Sequence, residues 1–393
     1  MPNVGKVWTG AVTQELSVEL GAATPTESPD VDDLDDWHAL LLRLAGALPD
    51  DLISKARTWL AAGGQTNVAQ AIGFAAVAAH VPVLAKDADL IARQLRARGE
   101  NTSLTESLDV VQEVGNSAGP WVFGPVDPAQ ASAPIGPLDL TGVECRHLMD
   151  AVDRAMAAAV GQEPGLTAVW RAWRAPADGS PWPLPRRVFV VRTDERVLGQ
   201  RLIEVTARLQ AALTAAGEAN PQVEVCSPRR PVPGYQSSAC AQASLIWAYE
   251  PFTPVRLARV FDEVDAKEGP RFADDHPVID DLEELTRLLR YLGNGLPVLT
   301  TSATMSDILD PERPEVVPLS FRTDGQWVWT DTVTFYLEQY GLAPEPELLA
   351  HLRRCGNEGP EVSDVAVHRV LSLLQVQGDG GDVPVWTVPQ RDA

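Results

Sequence analysis

The chain has 393 residues, a length that suggests two or three domains and leaves ample room for a buried core. Hydrophobic residues make up 45% and charged residues 22%, which excludes wholesale disorder. The formal net charge of -22, from 54 acidic against 32 basic side chains, repels phosphate backbones and anionic lipid. General nucleic-acid binding and membrane insertion are therefore not expected.

Residues 1–34 are polar and rich in Thr, Ser and Pro towards their end, and read as a flexible arm. They carry no apolar run after Lys6, so no signal peptide is expected. From Asp35 the pattern turns helical. DDWHALLLRLAGALPDDLISKARTWLAAGG, QTNVAQAIGFAAVAAH and KDADLIARQLRARGEN read as successive amphipathic helices, opened by acidic residues and closed by Gly or Pro. SLTESLDVVQEV reads as one more, giving an all-helical domain over 35–115. The stretch AIGFAAVAAHVPVLA is too short to span a bilayer and contains His80 and Pro82.

Residues 116–138 are dense in Pro, Gly and Ala and read as an extended linker. A second domain, 139–393, follows. It opens with a helix from Asp139 to Val160, after which AVWRAWR and RVFVVRT are strands and RVLGQRLIEVTARLQAALTAAGE a helix. QVEVCS and SLIWAYE are strands, and PVRLARVFDEVD and DDLEELTRLLRYLG helices. Interleaved strands and helices indicate an α/β or α+β domain with a mixed sheet, preceded by the all-α domain.

Few motifs carry chemistry. SPDVDDLDDWH has clustered carboxylates, but no partner motif for a metal-bound diphosphate follows; its acids fit a helix N-terminus, where the dipole favours them. The six histidines form no close metal pair, and neither a nucleophile elbow nor a phosphate-cradling glycine loop occurs. No metal or cofactor is expected. His351 and Cys355 share a helix face, a pairing that can activate a thiol if an acid orients the imidazole. Cys145, Cys226, Cys240 and Cys355 lie far apart, which suits reduced thiols in a cytoplasm. From Arg171 to Arg208 the charge reverses locally, eight arginines facing four acids, with Trp170, Trp173 and Trp182 interleaved. Arg171 and Arg174 are the candidate anion contacts there, although solvated strand and helix faces that neutralise the acidic remainder are the preferred reading of the run, because the net field opposes anions.

PLSFRTDGQWVWT is a strong hairpin signal. Asp324 and Gly325 suit a two-residue turn with both φ values positive, and alternation puts Trp327 and Trp329 on one face, where packing accounts for them. Arg322 has no local backbone rule behind it, so Arg322, Asp324, Trp327 and Trp329 form a candidate ligand site. The helices TVTFYLEQY and PELLAHLRRC follow, separated by Gly341 and two prolines.

The segments LARVFDEVD, DILDPERPEVVPLSFRTDGQWVW and YLEQYGLAPEPELLAHL, between Arg256 and Arg353, resemble a C-terminal FRTDGxWVW module of uncharacterised actinobacterial proteins, some encoded near polymorphic-toxin genes. The resemblance covers about a quarter of the chain, assigns no catalytic residues, and implies an immunity or accessory binding role. The expectation is thus a cytoplasmic bacterial protein that binds a protein partner, toxin-neutralising in its specific version, and not an enzyme. The alternative is an enzyme or tailoring protein for a small anionic substrate, held at an interdomain site by Arg171, Arg174 and Arg322 with Asp324 or Asp331 as the carboxylate.

Overall fold

A computed structural model describes residues 31–113, 118–129, 136–265, 267–356, 359 and 361–378. The elements run α1 (Val31–Leu44), α2 (Asp50–Ala61), α3 (Gln65–Ala78), β1 (Val83–Leu84), α4 (Ala85–Ala97), β2 (Val110–Val111), β3 (Trp121–Gly124) and β4 (Leu138–Asp139). Then come α5 (Ala151–Val160), β5 (Leu166–Pro176), β6 (Arg186–Thr193), α6 (Gln200–Ala215), β7 (Gln222–Cys226), α7 (Gly234–Ala241) and β8 (Ser244–Ala248). The remainder is β9 (Arg256–Leu257), β10 (Glu263–Asp265), β11 (Gly269–Arg271), α8 (Leu282–Asn294), β12 (Leu296–Leu299), β13 (Thr304–Met305), β14 (Val317–Pro318), β15 (Phe321–Thr323), β16 (Trp327–Thr330), α9 (Asp331–Tyr340), α10 (Pro346–Arg354) and α11 (Asp364–Gly378).

The fold is α/β, with a mixed sheet at its centre. Its order is β4-β8-β5-β6-β7, and β3 pairs with the second half of β5 on the same edge that β8 uses for the first half. β5 runs antiparallel to its neighbours, while β6 with β7 and β8 with β4 are parallel. Alternation divides the strands between two cores. Val169, Phe189, Val191, Val223 and Val225 face α5 and α6, whereas Ala168, Trp170, Val188 and Val190 face α7, the end of α1 and Val365 of α11.

The amino-terminal helices share their core with this sheet layer. Leu40, Leu41, Ile53, Ile72 and Ile91 pack together with Ile203 of α6, while Leu42 of the same α1 and Ala45 just after it join the core on the other side of the sheet. A buried Leu or Ile contributes roughly 1.5–3 kcal/mol, so α1 is held strongly on both sides.

Several expectations need correction. Most of the expected arm lies outside the described residues, and residues 31–34 are already helical. The helical stretch 35–115 is interrupted by the parallel pair β1 and β2, and SLTESLDVVQEV forms a 3-10 turn at Ser103–Ser107 and then β2, not a helix. Val110 and Val111 are β-branched, and the edge offered by Val83 and Leu84 decides their conformation. The described parts of 116–138 include β3 and the start of β4, both built into the sheet. The extended backbone that prolines impose on their neighbours is already strand-like, so it needs only an open edge. The expected helix from Asp139 begins at Ala151, where the Asp150 carboxylate accepts from the Asp153 N–H.

The carboxy-terminal sheet has the order β12-β15-β16-β9, antiparallel except for β16 with β9. PVRLARVFDEVD supplies β9 and β10, not a helix. Val255 and Leu257 pack with Val328, and Ala258 turns to the opposite core, a period of two that fits the sheet beside β16. Trp327 and Trp329 pack against α8, α9 and α10. Gly295 makes room for this: a Cβ there would lie 2.3 Å from the Trp329 ring. Val328 on the other face is buried too, with Phe321 and Val370 of α11. α11 thus braces both sheets, since the Arg369 guanidinium also donates to Asp139 and Glu250 and His368 meets the Leu138 carbonyl. Among the described residues, no helix is long and apolar enough to cross a membrane.

Candidate functional site

The residues singled out in the sequence do not form one site: Arg171 and Arg174 belong to one sheet, and Arg322, Asp324, Trp327, Trp329 and Asp331 cluster about another. Arg171 and Arg174 lie on β5. The Arg171 guanidinium donates to the Pro125 carbonyl at 2.7 Å and sits 3.4 Å from the Asp153 carboxylate. Arg174 makes a two-pronged contact with Asp50 at 2.9 and 2.6 Å, donates to the Tyr235 hydroxyl and covers the Trp121 ring. Both are buried and occupied in joining elements of the fold. Farther along the run, Arg187 pairs with Asp150, Arg192 with Asp364, and Arg201 and Arg208 with Glu163.

Arg322 belongs to the other sheet, and its role is now clear. Its Nε donates to Asp331 at 2.7 Å and its Nη1 to the carbonyls of Gly293 and Gly295, so it satisfies the end of α8 and ties it to the start of α9. Asp324 does not sit in the expected turn, because only Gly325 has a positive φ, +91°. Instead Asp324 Oδ1 accepts from the N–H groups of Gln326 and Trp327, and Oδ2 accepts from the Tyr291 hydroxyl at 2.9 Å and from His351 Nε2 at 2.6 Å. The hairpin is therefore held by a buried carboxylate reached from two helices.

This supplies the acid that the His351 and Cys355 pairing lacked, but in an arrangement unsuited to relay. His351 Nε2 faces both the carboxylate and, at 3.5 Å, Cys355 Sγ. Activation of a thiol needs the carboxylate on one ring nitrogen and the sulfur on the other. The group is a structural knot of α8, the hairpin and α10.

A well-formed concavity lies elsewhere. A cleft of about 630 Å³ opens between α1 and the loop SPRRPVP, residues 227–233, which leaves the carboxyl end of β7 and leads into α7. That volume is within the range of small-molecule sites, and the carboxyl ends of strands are where open α/β sheets place them. Leu42, Ala45, Leu84, Leu202, Val232 and Tyr235 give it apolar walls. Gly46, at φ +77°, lets the Tyr235 ring approach α1, since a Cβ there would lie 2.3 Å from the ring. A second hollow of about 330 Å³, beside Trp170, Arg192 and Tyr249, is half as large.

The cleft walls hold three buried titratable groups, each kept uncharged near neutral pH. Burial pulls His38 from 6.5 to about 4, with Arg57 and Arg230 adding to the effect and the Val225 carbonyl, 2.7 Å from Nε2, opposing it. Burial, helped by the Glu224 carboxylate, pushes the Cys226 thiol up to about 12. Burial raises the Tyr235 phenol above its ordinary range against the pull of Arg174. Charge is confined to Asp35, Arg43, Lys86, Glu113, Arg229 and Arg230.

His38 also makes stability depend on pH. Because its folded value lies below its ordinary one, its contribution is complete above pH 6.5 and is lost as pH falls towards 4. The shift from 6.5 to about 4 corresponds to about 3 kcal/mol. His38→Gln keeps a donor for the Val225 carbonyl and does not titrate. Denaturant unfolding at about pH 7 and about pH 4.5 should show the variant losing about 2 kcal/mol less than the parent; equal losses would remove His38 from the account.

The sequence reasoning missed this cleft. Its strongest local signal was the basic, proline-punctuated SPRRPVPG directly after a strand and before a short helix. The cysteines of the described chain are all free thiols, and among the described residues no cluster of His, Cys, Asp or Glu is suited to a metal ion. No model of a known protein family, no curated protein and no solved structure matches the chain.

Proposed function

We propose that the protein binds a small, largely apolar organic molecule in the cleft between α1 and residues 227–233. The observation that carries this reading is the cleft itself, about 630 Å³ with apolar walls at the carboxyl end of a sheet strand. Binding is favoured over catalysis because His38, Cys226 and Tyr235 are all tuned away from neutrality, whereas an acid or base at work near neutral pH is tuned towards it. The arginine-lined interdomain site first considered needs Arg171, Arg174 and Arg322 together, and the fold separates them. The protein-binding, toxin-neutralising reading rests on acidity and on the resemblance of the hairpin module, and takes second place. A cytoplasmic setting belongs to the same proposal, supported by four free thiols.

The test uses the neutral fluorescent probe N-phenyl-1-naphthylamine. Its emission should rise saturably with about one site per chain. Val232→Trp and Ala47→Trp, which add bulk from a half-buried and an exposed cleft position respectively, should each weaken binding at least ~10-fold with unchanged circular dichroism. No saturable binding, or binding that neither variant affects, overturns the reading.

A further inference from the structure

Resting on that reading, we infer that the cleft selects an amphipathic organic anion, whose charged end is met by Lys86 and Arg229 while its apolar body lies against Leu42, Leu202 and Tyr235. The inference starts from how the charges lining the cleft are used. Arg43 is tied to Asp87 and Arg230 to Asp36. Asp35 accepts from the Gly199 N–H. Among the described residues Lys86 and Arg229 make no ion pair, and both are exposed at the cleft. The opposing charges among the lining residues are Asp35 and Glu113.

A chain with net charge -22 repels anions in general. With Arg43 and Arg230 balanced by Asp87 and Asp36, the two remaining cations, Lys86 and Arg229, stand without an ion-pair partner among the described residues at the place where a ligand fits, a local positive feature within that field. Low-dielectric walls sharpen its effect, since field lines are focused in a cleft and a contact shielded from bulk water is screened less. The uncharged state of His38 and Cys226 leaves the interior without a formal charge of its own. Polarity is thereby ordered, cationic at the mouth and apolar within. A ligand that satisfies both has one anionic head and a hydrocarbon or aromatic body. Carboxylates and phosphate monoesters share this chemistry.

The experiment compares N-phenyl-1-naphthylamine with 1-anilinonaphthalene-8-sulfonate, which adds a sulfonate to the same ring system. The sulfonate should bind the full chain about 10-fold more tightly at low ionic strength, an advantage that salt reduces. Lys86→Glu and Arg229→Glu should each remove most of that advantage and change affinity for the neutral probe less than ~2-fold. Competition by decanoate, decyl phosphate and decanol then reads the head group. Displacement by either anion at concentrations where decanol is ineffective supports the proposal, and the stronger anion identifies the head. Equal affinities for the two probes, charge reversals that move both probes alike, or decanol competing as well as the anions would overturn it. Should the neutral probe still bind saturably and respond to Val232→Trp, binding in the cleft stands while anion selection falls; should neither probe bind, both readings fall.

Discussion

Replacing Asp324 with alanine is expected to lower the unfolding free energy by about 4 kcal/mol. The side chain is 1% exposed, and its carboxylate accepts four hydrogen bonds: two from the hairpin backbone at Gln326 and Trp327, one from Tyr291 of α8 and one from His351 of α10. Truncation leaves these donors facing a small apolar cavity. Each buried group without a partner costs roughly 1–3 kcal/mol, and relaxation at the turn recovers part of the sum. Asp324→Asn should cost less, about 2 kcal/mol, because the amide oxygen can still serve the turn while the –NH₂ disrupts the contacts on the other side. Urea unfolding at neutral pH reads both, and unchanged denaturant slopes would assign the effect to the folded state. A loss below about 1 kcal/mol for the alanine variant would mean that the knot is not what fixes the hairpin to α8 and α10.

That same aspartate shows what a sequence conveys and what it withholds. The pair Asp324 and Gly325 announced a reversal between two strands, and the reversal is there, but the role of the aspartate depended on Tyr291 and His351, which lie 33 and 27 residues away. Local periodicity was a reliable guide wherever an element answers to its own residues. β5, β6, α6 and β7 lie where alternation or a helical repeat places them, as do α8, α9 with Gly341 at φ +70°, and α10. It failed where an edge or a neighbour decides. Trp121 to Gly124 became strand because β5 had an open edge, and Arg256 and Leu257 because β16 did. Arg322 looked unexplained until the α8 carbonyls came within its reach. The cleft was least legible of all, since His38, Lys86, Glu113 and Arg229 converge from four separate stretches of chain. Only the basic, proline-rich loop after β7 hinted at it.

Behind the cleft lies the buried ion pair of Arg57 and Glu224, 2% and 0% exposed, with Arg57 Nη2 2.6 Å from Glu224 Oε2. Gln236 Nε2 donates to the same carboxylate oxygen at 2.9 Å and to the Leu42 carbonyl at 2.8 Å, so the cluster joins α2, β7, α7 and α1. Removing either member of such a pair leaves an uncompensated charge in a low-dielectric interior. Arg57→Ala and Glu224→Ala should each cost about 3–5 kcal/mol. Replacing both by apolar residues of similar volume, Arg57→Met with Glu224→Leu, removes the attraction and the desolvation penalty together. That double variant should lie within about 1 kcal/mol of the parent, or above it. The geometry favours recovery, because Arg57 Nε and Nη1 and Glu224 Oε1 have no hydrogen-bond partner among the described residues, so the pair meets the cost of burial incompletely. Denaturant unfolding of the parent, both alanine variants and the double variant decides the matter: a double loss equal to the sum of the single losses would show two independent packing effects. Recovery in the double variant would establish that the pair is sustained by mutual neutralisation and that its net contribution to stability is small.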